Sequence, residues 1–96
     1  MQYLTDRMAV SVITTFPAST KLDSHDVEFK MRSVFPIEFQ QELDRFRNKR
    51  DPLHSFSLSF GRWLLSFPGH ITKTGRVRTK NLRNRISENQ EWLRQE

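Results

Sequence analysis

Ninety-six residues with no cysteine and a formal net charge of +5 describe one small domain's worth of chain, without disulfides or thiolate zinc sites. Eight Phe, two Trp and one Tyr recur along the whole length, which separates the chain from a disordered one although its mean hydropathy is −0.69. No stretch approaches a membrane-spanning length, and MQYLTDRMAVSVITTF places Asp6 and Arg7 ahead of a short apolar run instead of a signal sequence, so a cytoplasmic location is expected.

In chain order, Val10, Val12, Thr14 and Phe16 alternate within AVSVITTF, and this β-branched run predicts an extended segment or short strand. PASTKLD follows as loop, so residues 1–23 form an extended N-terminal segment. Ser24 is the expected N-cap of the next helix, with Asp26 and Glu28 in its first turn and Val27, Met31 and Val34 on one face. Pro36 forces Phe35 out of that helix and opens another, PIEFQQELDRFRNKR. Its stripe is Phe39, Leu43 and Phe46, and Arg47, Lys49 and Arg50 fall in its last turn.

DPLHSFSLSFGRWLLSF fits two periods. Phe56, Leu58 and Phe60 alternate with serines as in a strand, whereas Leu53, Phe56, Phe60, Trp63 and Phe67 make a helical stripe of four turns. The longer pattern favours helix, with Asp51 as cap and Pro52 in the first turn, although 55–60 alone leave strand open. Residues 24–67 therefore read as a helical core. Residues 68–79 read as a basic loop or loose hairpin, and 80–96 as a C-terminal helix capped by Thr79 with Leu82, Ile86 and Leu93 on one face and Trp92 beside it. The expected architecture is mainly α: a single domain over 1–96 with three to four helices behind an extended N-terminal segment.

Catalytic constellations are missing from this pattern. His25 sits in LDSHDVE, but no second His has helical spacing from it, and capping explains the neighbouring acids. His54 and His70 stand alone. None of Ser55, Ser57, Ser59 and Ser66 lies in a Gly-x-Ser-x-Gly turn, and Gly61, Gly69 and Gly75 are isolated instead of forming a phosphate loop. No catalytic, cofactor-binding or metal-binding residue is assigned, and the expectation is a binding protein, not an enzyme.

Charge gives the strongest signal. Between Pro52 and Ser87 stand Arg62, Lys73, Arg76, Arg78, Lys80, Arg83 and Arg85 and no acid, leaving nine bases against eleven acids elsewhere. Such a run suits a phosphate backbone or the acidic groove of a protein, and no aromatic interrupts it from Ile71 to Arg85 to stack a base. Trp63 and Trp92 add the side-chain type that, with Arg, anchors protein interfaces. Phe67-Pro68-Gly69, which joins the apolar helix to the basic segment, is either a helix stop or a slow isomeric switch.

The block RWLLSFPGHITKTGRVRTKNLRNR, the short acidic amphipathic helix before it, the size and the lack of Cys resemble the small anti-RecBCD proteins of temperate lambdoid phages. The resemblance implies an accessory recombination factor that binds the host RecBCD helicase-nuclease, chiefly through RecC, and alters its nuclease activity and Chi response. It also implies a host prolyl isomerase as second partner, acting at Pro68 between Phe67 and Gly69. A nucleic-acid-binding regulator that uses segment 73–85 is the rival reading of the same bases.

Overall fold

The computed structural model describes residues 1–95, and its first helix begins where a strand was expected. Thr5 caps α1 (Asp6–Ile13) by accepting the Met8 N–H at 3.2 Å, and Asp6 sits at the positive end of the helix. Ala9, Val12 and Ile13 bury one face at helical spacing. The alternation of Val10, Val12, Thr14 and Phe16 was a coincidence of β-branched residues, and burial of the helical face overrides their propensity. The extended N-terminal segment over 1–23 is thereby corrected to a helix followed by β1 (Lys21–Asp23).

α2 (Ser24–Val34) is capped by Asp23, not by Ser24. The Asp26 N–H donates to Asp23 Oδ1 at 2.8 Å and the Asp23 N–H donates to Asp26 Oδ2 at 3.0 Å, a reciprocal capping box. Phe35 ends the helix as Pro36 requires, and α3 (Pro36–Asp44) follows. α3 stops before the basic cluster, so Arg47, Lys49 and Arg50 lie in turns beyond it and not in its last turn. α4 (Pro52–Leu64) settles residues 55–60 as helix, with Pro52 in its first turn and Asp51 Oδ1 accepting the His54 N–H.

The largest correction comes after residue 70. Residues 71–80 are strand β2 (Ile71–Lys80), and in place of a C-terminal helix stands β3 (Ile86–Arg94). The three described strands form an antiparallel sheet in the order β1-β3-β2. The fold is therefore mixed α and β, not mainly α, and Thr79 is a strand residue instead of a helix cap. Asn81 turns the chain: its side-chain oxygen accepts the Arg83 and Arg85 N–H groups at 2.9 and 3.2 Å, and Asn84 takes the left-handed conformation with φ 61°.

α2 is the hub, touching α1, α3, α4, β1 and β3. Its Val27 and Met31 meet Phe39, Phe56, Phe60 and Leu64 from α3 and α4, and Leu22, Ile71 and Trp92 from the sheet complete the core. Phe39, Phe56, Phe60, Trp63 and Phe67 form a ladder of rings with successive centroids 5.2–5.6 Å apart, mostly edge to face. Glu42 is fully buried as well. One of its oxygens accepts the backbone N–H groups of Gln2, Tyr3 and Leu4, and the other meets Arg45 at 2.6 Å. No helix among the described residues is long and apolar enough to cross a membrane.

Candidate functional site

The basic segment is a β-hairpin, and the hairpin imposes an order on its charges. Lys73 pairs with Trp92 and Arg76 with Gln90, so Thr74 and Gly75 together oppose the single residue Glu91. This bulge absorbs one residue of phase. Lys73 then shares a strand face with Arg76, Arg78 and Lys80, whereas regular alternation would put Lys73 on the opposite face. Four of the six bases in the run therefore point one way.

Two acids outside the 52–87 window enter this surface through the fold. Glu88 on β3 receives the Arg76 Nε–H at 2.9 Å, and Arg83 in the turn grips Asp51 at the start of α4. The Arg83 ion pair holds the Asp51 carboxyl below its usual range, and the cap bond from His54 acts in the same direction. Lys73, Arg78, Lys80 and Arg85 make no ion pair among the described residues, and all four are exposed.

The two tryptophans do not act as a pair. Trp92, expected as an anchor, is only 2% exposed, and its indole N–H donates to Ser24 Oγ at 3.0 Å inside the core. Trp63 is half-buried between Phe60 and Phe67, with its indole N–H on Asp6 Oδ1 at 3.0 Å. At the corner between α4 and β2, Phe67 is buried while Pro68 and Gly69 are exposed, and the Phe67-Pro68 bond is trans. The chain has already left the helix at Leu65, and the Phe67 carbonyl accepts the N–H groups of both His70 and Ile71 at 3.0 Å.

Between α4 and the hairpin lies a cleft of about 480 Å³. Leu53, Leu58 and Leu65 line it from the helix and Leu82 from the hairpin turn, while His25, Glu28 and Asn89 lie at its base. The His25 backbone N–H donates to Asn89 Oδ1 at 3.0 Å, and His25 Nδ1 and the Asn89 amide both meet Thr79 Oγ1, at 2.9 and 3.1 Å. Burial lowers the His25 pKa, although Asp23, Thr79 and Asp26 pull the other way. Ser57 Oγ donates to Glu28 Oε1 at 2.6 Å, but Glu28 Oε2 is buried with no hydrogen-bond partner among the described residues. Burial pushes this carboxyl up to about 7, with Ser57 opposing and Asp23 adding to the rise.

Sequence reasoning missed this cleft. The sequence reading puts Glu28 in the first turn as a dipole partner, but the helix is capped one residue earlier, at Asp23, and Glu28 is buried beside Val27. The usable signal was there: Glu28 lies three residues before Met31, on the stripe assigned to the core. Asn89 and Thr79 gave no signal, because they meet His25 only once the hairpin exists. Comparison of the chain with protein-family models, with curated proteins and with solved structures finds no match.

Proposed function

We propose that this protein is a non-enzymatic modulator that docks on the host RecBCD helicase-nuclease, through its RecC subunit, in the cytoplasm of the host bacterium. There it alters nuclease activity and the response to Chi in favour of phage recombination, with a host prolyl isomerase acting at Pro68. The family is suggested by the resemblance of residues 62–85 and the helix before them. The observation that supports a docking role is the bulge at Thr74 and Gly75, which gathers Lys73, Arg76, Arg78 and Lys80 on one exposed face. Glu88 offsets Arg76 on this face, but Lys73, Arg78 and Lys80 stay outside every ion pair among the described residues. Such a net basic face steers and orients an acidic partner surface, with Arg contributing bidentate contacts to carboxylates. Pro68, exposed at the base of the same hairpin, is within reach of an enzyme.

The test is capture from a bacterial lysate with the wild-type chain and with Lys73→Glu, Arg78→Glu and Lys80→Glu combined, three positions outside every ion pair among the described residues. The reading expects RecBCD in the first eluate and its loss from the second, with an unchanged far-UV CD spectrum. Direct nucleic-acid binding replaces it if free DNA or RNA binds with no protein partner and loses about three decades of affinity between 50 and 200 mM salt, as six phosphate contacts require.

A further inference from the structure

The cleft between α4 and the hairpin holds a contradiction that a ligand would resolve. Its α4 wall carries Leu53, Leu58 and Leu65, which Leu82 meets from the hairpin turn, yet its base carries the Glu28 carboxyl with one oxygen unpartnered among the described residues. An unsatisfied buried polar atom is unfavourable, so a bound group that reaches it is favoured over one that does not. Arg62 and Lys73 flank the end where α4 turns into β2, both exposed and neither in an ion pair among the described residues. At the other end Arg83 and Asp51 clasp the two walls together.

We propose that this cleft binds a nucleoside phosphate, with the base against the α4 leucines and Leu82 and hydrogen-bonded to Glu28, and the phosphate on Arg62 and Lys73. The volume lies in the range of about 300–1,000 Å³ typical of small-molecule sites. Nucleobases are flat and apolar on their faces, and their edges set hydrogen-bond donors beside acceptors. A base therefore satisfies Glu28 in either protonation state, accepting from it when it is protonated and donating to it when it is ionised. The neutral imidazole of His25 sits beside it without adding a charge that the base cannot match. A lipid or plain hydrocarbon would leave Glu28 as it is, and a lone phosphate would leave the α4 leucines uncovered. The nucleotide itself has two sources, a free monophosphate or the 5′ end of a single strand. Lys73 and Arg76 belong to both surfaces, whereas Arg78 and Lys80 lie outside the cleft and Glu28, Gly61 and Arg62 outside the docking face, so variants at these last five positions separate this site from docking.

The experiment is a titration of the full chain with AMP, adenosine, inorganic phosphate and a 5′-phosphorylated oligodeoxyadenylate, followed by the Trp92 indole and the amides of 57–62 in ¹H–¹⁵N spectra. AMP should saturate at micromolar to low-millimolar concentration and shift those signals. Arg62→Ala with Lys73→Ala should weaken AMP at least tenfold and leave adenosine nearly unchanged. Gly61→Ala, whose added methyl meets nothing closer than Ser24 Oγ at 3.9 Å, keeps the fold but narrows the cleft and should weaken both. Glu28→Leu removes the orphan oxygen and should weaken AMP and adenosine alike, its folding checked by the same spectra. An oligonucleotide that binds at least tenfold tighter than AMP, with the same dependence on these residues, identifies a strand end; equal affinity identifies the free nucleotide. Inorganic phosphate as tight as AMP, binding indifferent to Gly61→Ala and Glu28→Leu, or no shift at millimolar AMP overturns the proposal.

Discussion

Ser57 Oγ on α4 donates to Glu28 Oε1 on α2 at 2.6 Å, and this bond holds a carboxyl against a helix that buries it almost completely. Because the folded pKa of Glu28 is raised to about 7 from 4.5, the folded state keeps a proton that the unfolded chain releases. Stability from this group is therefore complete below about pH 4.5 and is lost as the pH rises to about 7, in total on the order of 3 kcal/mol. Glu28→Gln cannot ionise, so urea midpoints for the variant should exceed those of the wild type at pH 8 and converge with them near pH 5. Parallel pH profiles for the two proteins would mean that Glu28 titrates normally.

Glu42 carries the opposite sign. Burial alone would raise its pKa, but Arg45 and the N–H groups of Leu4, Tyr3 and Gln2 hold it below the usual range. Its contribution is present above the unfolded pKa of about 4.5 and is lost as the pH falls through the lower folded value. Glu42→Ala should cost about 2–4 kcal/mol at pH 7, since it leaves Arg45 and three backbone donors without their acceptor. Amide hydrogen exchange should rise at residues 2–4, where the N-terminal segment is tied to α3, before it rises elsewhere.

Trp92 and Trp63 should separate on truncation. Trp92→Ala removes a core side chain and the bond to Ser24, and a loss of about 3–5 kcal/mol is expected, most of the stability of a domain this size. Trp63→Ala loses a half-buried ring and an exposed bond to Asp6, for about 1–2 kcal/mol. Chemical denaturation of both variants measures the difference directly. A mild Trp92 variant would place that ring at the surface instead.

Pro68→Ala should leave the fold intact. The turn is held by the Phe67 carbonyl and the N–H groups of His70 and Ile71, Pro68 is exposed, and its bond is already trans. The thermal midpoint should stay within ~4 °C of the wild type, which is under about 1 kcal/mol for a domain of this length. On the function proposed above, capture of the prolyl isomerase should disappear and inhibition of the nuclease should fall. Unchanged capture and activity would leave Pro68 as a plain turn residue.

The parts legible in the sequence are those where local pattern and burial agree. Pro36 and Pro52 mark helix starts, Phe35 is expelled, and the stripe from Phe56 to Phe67 packs as its spacing says. The failures occur where long-range pairing decides. ISENQEWLR has little intrinsic preference for a strand, yet β3 is the central strand and both neighbours impose its conformation. The helical stripe of Leu82, Ile86 and Leu93 does not exist: Ile86 is exposed, and Leu82 sits in a turn that Asn81 and Asn84 could have announced. The basic run itself was visible, but its facing depends on a bulge that no composition reveals, and the Asp51 and Glu88 partners come from outside the run.

The order of the sheet has a kinetic consequence. β1 lies near the start of the sequence, but both it and β2 pair only with β3, which ends at Arg94. A chain emerging from the ribosome can wind its four helices early, since their bonds are local, but it has no sheet until residues 86–94 are free. Until then Leu22, Ile71 and the aromatic ladder lack the Trp92 lid. The nascent chain is exposed to aggregation throughout that interval, and the ten residues of β2 have no strand to pair with for all of it. A ribosome-bound chain stalled before residue 86 should therefore be helical by CD yet sensitive to protease between α4 and the hairpin, and release of the last strand should close both at once.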